Sequence, residues 1–284
     1  MNRLLALLFA LVVGAVPLTA AATGTLDSIK SSGSITIAYA KNALPLSFDR
    51  EGGGPSGYSI DICKRIVASL QRQLEMPQIE VKWIRGNTPR RLAAVLNKEA
   101  QMECGTTSVT LDRQQQVDFS NIIFVEAGGI LIRADSGAQA LSDLAGRTIG
   151  VTPDTTTERR LRAVLDERLI NAKLVPIKNA KDGMELLQAR ELDALAGDRL
   201  VLVGQATLTG DPEEFTMLNA QFSIDPYAFA LPRGDSDFRL AVNRALAQLY
   251  RTGEIKKIFS RWFGTEAKPS IILESVYFIF GFSD

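Results

Sequence analysis

Hydroxyls, backbone N–H groups and one guanidinium crowd into Thr106-Thr107-Ser108-Val109-Thr110-Leu111-Asp112-Arg113, directly after Glu103-Cys104-Gly105. The stretch reads as a strand that ends where the hydroxyls begin, followed by a helix that Arg113 opens. A strand opening into a loop leaves N–H groups free. Thr106, Ser108 and Arg113 can therefore converge on one small carboxylate. Arginine suits that task because its planar fork grips a carboxylate with two parallel hydrogen bonds, whereas lysine offers a point charge.

Other residues have both a chemical and a plain structural reading. Thr155-Thr156-Thr157-Glu158 carries the Thr-x-x-Glu spacing of a capping box, which accounts for Thr155 and Glu158. Thr156 and Thr157, next to the cap, leave hydroxyls and N–H groups facing the positive end of a helix dipole. Asp198 closes an apolar strand before Leu200-Val201-Leu202, where an aspartate is ordinarily a helix N-cap. Thr88-Pro89 is a helix-start signature, a hydroxyl cap and then proline in the first turn. Arg91, beside Arg90, has the ordinary reading of a surface charge. The chain has no histidine, no Gly-x-Ser-x-Gly elbow and no metal-ligand cluster, so the usual acid–base and nucleophile arrangements are missing. No cofactor and no enzyme activity are expected, and carboxylate–lysine chemistry is the enzymatic alternative that remains.

Positioning these residues requires alternating strands and helices. Ser34-Ile35-Thr36-Ile37-Ala38-Tyr39 alternates as a strand, and Ser59 begins an amphipathic helix with Ile60, Cys63, Ile66 and Val67 on one face. Ile79-Glu80-Val81-Lys82-Trp83-Ile84 is a second strand, and the hydroxyl motif follows a third. Residues 122–125 and 129–132 form an extended exit from this unit, and a polar linker spans 134–140. A second unit then repeats the alternation: a strand over 144–151, a helix from 155, a strand over 173–177, a helix over 182–188 and a short strand over 193–198. A return strand at 229–231 and two helices, 237–252 and 255–262, close the pattern. The fold class is α/β, with mostly parallel sheets flanked by helices.

At 284 residues with 46% hydrophobic content, the chain can form two packed domains. Basic and acidic residues number 32 each, which leaves no nucleic-acid footprint. Arg3, an apolar run over 4–16 and Leu18-Thr19-Ala20-Ala21-Ala22 form the layout of a secretory signal peptide, cleaved near Ala21 or Ala22. No later run reaches the roughly 18 apolar residues of a spanning helix, so no membrane insertion is expected. Cys63 and Cys104 can pair in an oxidising compartment or remain two buried thiols. The apolar tail, Ile271-Ile272-Leu273 and Tyr277-Phe278-Ile279-Phe280, is expected to pack on the body of the protein.

In four segments the chain resembles the periplasmic amino-acid-binding proteins of ABC importers (bacterial solute-binding protein family 3), in particular the glutamate/aspartate-binding group. These are Gly57-Tyr58-Ser59-Ile60-Asp61, Glu103-Cys104-Gly105-Thr106-Thr107 with Arg113, Val117-Asp118-Phe119-Ser120, and Asp143-Leu144-Ala145-Gly146-Arg147-Thr148-Ile149-Gly150-Val151 with the Thr155–Glu158 run. The resemblance covers nearly all of the chain after the signal. It implies two α/β lobes joined by two crossing strands, a ligand cleft between them, and closure on binding. The implied boundaries are 1–22 for the signal, 23–124 with 225–264 for lobe 1, 125–224 for lobe 2, and 265–284 for a tail packed on a lobe.

The resemblance also implies roles. Arg113 would grip the ligand α-carboxylate with Thr106, Ser108, Thr156 and Thr157, Asp198 would hold the α-ammonium, and Thr88 and Arg91 would face the ligand side chain. The implied function is capture of a polar, acidic amino acid in the periplasm by a monomer that delivers it to a membrane ABC permease. The alternatives are a cyclohexadienyl dehydratase-like enzyme on the same scaffold and a sensor that presents its ligand to a receptor. The chain departs from this group at Ala40, where the group carries a basic residue, and in lacking the group's second-lobe histidine. Arg91 is then the main candidate to meet a second carboxylate, with Lys41 within reach.

Overall fold

The computed structural model describes residues 24–220 and 222–283, so the leader expected over 1–22 lies outside the described residues. Ser34–Tyr39 lies in a five-stranded sheet ordered Glu80–Arg85, Ser34–Tyr39, Met102–Glu103, Ala230–Leu231, Asp118–Phe119. The first three strands are parallel, with Ile37 opposite Trp83 on one side and Met102 on the other. A second sheet repeats the plan in the order Lys173–Pro176, Thr148–Val151, Ala194–Asp198, Gly128–Arg133, Phe215–Met217, again with three parallel strands.

Each parallel set gains one reversed strand, Ala230–Leu231 in the first sheet and Gly128–Arg133 in the second. The reason is the route of the chain. Gly128–Arg133 follows directly from the short strand Phe124–Glu126, and Ala230–Leu231 from Asp225–Tyr227. These two short strands pair antiparallel with each other, Glu126 opposite Asp225 and Phe124 opposite Tyr227, and form the crossing between the lobes.

Apolar spacing decides the packing. Helix Tyr58–Gln73 turns Ile60, Cys63, Ile66 and Val67 into the first core, where helices Ser236–Arg251 and Glu254–Phe263 also pack. The second sheet carries one apolar cluster around Ile130, Ile149 and Leu161 and another around Leu131, Leu195 and Leu202. Burial on both faces is what a sheet with a parallel core requires. Gly57, at φ 128°, allows the tight entry into helix Tyr58–Gln73, because a Cβ there would collide with the Leu46 carbonyl.

Cys63, on that helix, is bonded to Cys104, which follows strand Met102–Glu103; their Cα atoms are 6.4 Å apart and both side chains are fully buried. The tail forms helix Ile271–Ile279, which buries Leu273, Val276 and Tyr277 against the first core. Tyr277 Oη meets Tyr58 Oη at 2.7 Å, and Tyr58 Oη donates to Ile123 O at 2.9 Å, just ahead of the crossing strand.

Candidate functional site

Between the lobes lies a cleft of about 490 Å³. Of the residues singled out in the sequence, Thr88, Arg91, Thr106, Thr157 and Asp198 line it, together with Lys41 from the first lobe and Lys178 from the second. Ser108, Thr156 and Arg113 are not part of this lining. Ser108 Oγ and Thr156 Oγ1 are 3.1 Å apart, one from each lobe.

The hydroxyl loop is held by the crossing strand. Val109 N donates to Pro226 O at 2.8 Å and Ala228 N to Thr107 O at 3.3 Å. Thr110 caps the short helix Leu111–Gln114 by accepting from Arg113 N at 3.2 Å. The turn brings Arg113 back, so that Nη1 donates to Ser108 O at 2.7 Å. This is its one side-chain hydrogen bond among the described residues, and no carboxylate pairs with it. Burial first, then the nearby Arg159 and Arg91 charges, draw its pKa down, while Glu103 and Asp225 pull the other way without pairing with it.

Across the cleft, Thr155 caps helix Thr156–Glu167 by accepting from Glu158 N at 3.2 Å. The capping-box spacing predicts that Glu158 returns to the Thr155 N–H; its carboxylate instead accepts from Asp154 N at 2.9 Å, one residue earlier. Thr156 and Thr157 occupy the first two helical positions, whose N–H groups have no partner within the helix. Asp198 stands at the N-cap of helix Arg199–Thr207, yet its side chain makes no capping hydrogen bond. Its carboxylate is pushed up to about 6, by burial first and then by Asp225, against the opposing pull of the Tyr227 hydroxyl, Arg91 and Arg113. Tyr227 Oη faces Asp198 without closing a hydrogen bond of ordinary geometry.

Arg91 departs from the surface reading. It is 2% exposed, and its Nε lies 2.6 Å from Glu103 Oε1. Its other hydrogen bonds run from Nη1 to Gly86 O at 3.1 Å and from Nη2 to Thr88 Oγ1 at 3.2 Å and Thr107 Oγ1 at 3.3 Å. One of its five N–H groups is left over, and its charge is already balanced by Glu103. Thr88 also differs from its expected role: Asn87 is the cap, accepting from Arg90 N, and Thr88 is the first helical residue. Freed from capping, the Thr88 hydroxyl accepts from Arg91 at the cleft wall.

Three participants were not singled out from sequence. Glu103 belongs to the motif, but nothing local shows that Arg91 reaches it. Glu126, on the crossing strand, is 6% exposed; Oε1 accepts from Ala127 N at 2.8 Å and Oε2 has no partner. A lone acid inside Ile122-Ile123-Phe124-Val125-Glu126-Ala127 was the available signal. The third is the contact of Asn42 with Asn179, Nδ2 to Oδ1 at 3.1 Å, another link between the lobes besides that of Ser108 and Thr156.

Two α/β lobes, an antiparallel pair of crossing strands and a polar cleft between them define a two-lobed solute-binding protein. The sequence matches the model of the bacterial extracellular solute-binding proteins, family 3, over residues 35–265, and the chain belongs to that family. It is 29% identical over 248 residues to the L-glutamate/L-aspartate-binding protein of Pseudomonas aeruginosa, a match covering 87% of this chain and 82% of that one. It is 27% identical over 249 residues to the glutamate/aspartate import solute-binding protein of Escherichia coli, covering 88% and 82%. Among solved structures, it superposes with a TM-score of 0.73 on an ancestral amino-acid-binding protein that is a precursor of cyclohexadienyl dehydratase. That match has 23% identity and covers 84% of this chain and 99% of the other. Among the described residues no helix is long and apolar enough to cross a membrane.

Proposed function

We propose that this protein captures an acidic amino acid, of the glutamate/aspartate type, in the interlobe cleft and presents it to the membrane permease of an ABC importer. The observation that carries this reading is the pairing of Arg113 with Asp198. One is a guanidinium without a carboxylate, the other an N-cap aspartate without a capping bond; Asp198 lines the cleft, and the Arg113 charge is near enough to act on it from the other lobe. A zwitterion bridging them stabilises the closed arrangement over the open one, so that binding is conveyed to a partner as a change of shape. The names of the Pseudomonas and Escherichia relatives support the ligand class.

In this reading Arg113, Thr106, Ser108, Thr156 and Thr157 hold the α-carboxylate and Asp198 the ammonium. Thr88 and the remaining Arg91 N–H border the side chain. The moving bodies are residues 23–124 with 225–264 and residues 125–224, and the crossing strands Phe124–Glu126 and Asp225–Tyr227 support that division. The protein acts in the periplasm after removal of residues 1–22, as a monomer and without catalysis. Isothermal titration with the twenty L-amino acids tests the reading. An acidic amino acid is expected to bind tightly, and failure of every one to bind below about 0.1 mM, roughly −5.5 kcal/mol, overturns it.

A further inference from the structure

The basic side chains lining the cleft divide into balanced and unbalanced ones. Arg91 is neutralised by Glu103, Arg90 lies 2.6 Å from Glu99, and Arg85 lies 3.7 Å from Asp49. Lys41 and Lys178 are exposed and pair with no carboxylate among the described residues. Among the described residues, Asp198 is the sole acid on the same lining.

The position of the two lysines follows from their neighbours. Lys41 precedes Asn42 in the first lobe, Lys178 precedes Asn179 in the second, and Asn42 donates to Asn179 at 3.1 Å. Gln205 Nε2 adds a second link across the gap, to Asn42 O at 3.4 Å. Ala40 and Ala43 pack on Val201 beside them. Lys41 and Lys178 thus line the same cleft from opposite lobes, each next to an asparagine of the interlobe contact. Like charges on opposite lobes oppose closure, and an anion between them turns the repulsion into attraction.

We propose that Lys41 and Lys178 form the side-chain subsite, selecting an α-amino acid whose side chain ends in an anionic group by making lobe closure depend on that charge. The inference rests on the amino-acid reading above and identifies which residues read the side chain. Arg91 is excluded as the principal reader because its charge is already matched. A carboxylate and a phosphate both satisfy the subsite, and the volume of the cleft lies in the range of roughly 300–1,000 Å³ typical of small-molecule sites.

The test is titration of the purified protein with L-glutamate, L-aspartate, O-phospho-L-serine and the neutral isostere L-glutamine. It is repeated on Lys41→Gln and Lys178→Gln, with the fold of each variant checked by thermal melting. Wild type is expected to prefer an anionic ligand over glutamine by at least about ten-fold, and the carboxylate and phosphate arms show which anion fits. Each substitution is expected to reduce the anionic-to-neutral affinity ratio by about ten-fold, the scale of one charge-assisted hydrogen bond. Lys178→Glu is expected to move the preference toward L-ornithine. Glutamine binding as tightly as glutamate in wild type, or a ratio unmoved in both glutamine variants, overturns the subsite while the amino-acid reading stands. Failure of every amino acid to bind overturns both.

Discussion

Arg91 and Glu103 form a salt bridge with both side chains sealed from solvent, 3% and 0% exposed, beneath the hydroxyl loop that forms one wall of the cleft. Such a pair owes little to net electrostatic gain, since desolvation offsets much of the attraction. Its effect is on geometry. Arg91 also holds Thr88 and Thr107, so the pair sets the position of the hydroxyl loop from behind.

Glu103→Gln leaves the Arg91 charge buried and unbalanced, and is expected to lower unfolding free energy by about 3–5 kcal/mol. Adding Arg91→Met to that variant removes the stranded charge and should restore a large part of the loss. Urea denaturation of the two single variants and the double variant measures the coupling, and additive losses would show that the pair is not a unit.

Gly105→Ala probes the same pair from the backbone. A Cβ at this position would collide with Glu103 Oε1 and stand 2.7 Å from Arg91 Nε and 2.8 Å from Arg91 Cζ. Displacing a buried ion pair is an overpacking event, expected to destabilise by about 1–3 kcal/mol in the same assay. A neutral outcome would mean that the pair shifts freely.

Glu126 gives stability a distinctive pH dependence. Its carboxyl is pushed up to about 8, by burial first and then by the Asp198 charge, while the Ala127 and Leu200 N–H groups and Arg199 pull the other way. A folded-state pKa above the unfolded one means that stability is fully present below the unfolded value, near 4.5 for this group, and declines as pH rises to about 8. Asp198, pushed up to about 6, adds to the lower part of that decline. Glu126→Gln cannot ionise, so its melting temperature should vary less than that of wild type between pH 6 and pH 8. Parallel curves would refute the assignment.

Asp198→Asn keeps the size of the side chain and removes its charge. If Asp198 holds the ligand ammonium, affinity should fall by about a hundred-fold or more, the scale for truncating one partner of a buried, hydrogen-bonded charge pair. Titration with L-glutamate reads this directly, and an unchanged dissociation constant would return Asp198 to a structural role.

Replacing both Cys63 and Cys104 by serine opens a covalent loop between helix Tyr58–Gln73 and the hydroxyl motif. On the chain-entropy model a loop of this length contributes about 4 kcal/mol. The double variant and the reduced wild-type protein should both melt at lower temperature than the oxidised protein. Equal melting temperatures would show that packing alone holds the motif.

Local signals carried much of the fold and picked out several residues that line the cleft, Thr106, Thr157 and Asp198 among them. Alternation at Ser34–Tyr39, apolar spacing at Tyr58–Gln73 and capping at Thr155 are written within a few residues, and each element follows from them. The strand reversals are not local, because they depend on where the chain arrives from across the crossing. The same limit applies to Arg91. Beside Arg90 it looks like a surface charge, and only the fold brings it against a glutamate twelve positions away. Lys178 has no local mark at all, since its relation to Lys41 exists only once Asn42 meets Asn179 across the gap.

Val109 N to Pro226 O and Ala228 N to Thr107 O tie the hydroxyl loop to the crossing strand Asp225–Tyr227 and the residue after it, one of the two segments that join the lobes. A wall tied to a hinge sits where a swinging door moves least. In the proposed closure the hydroxyl loop is therefore the fixed jaw, and the opposite lobe, with helix Thr156–Glu167, is the jaw that travels to meet it.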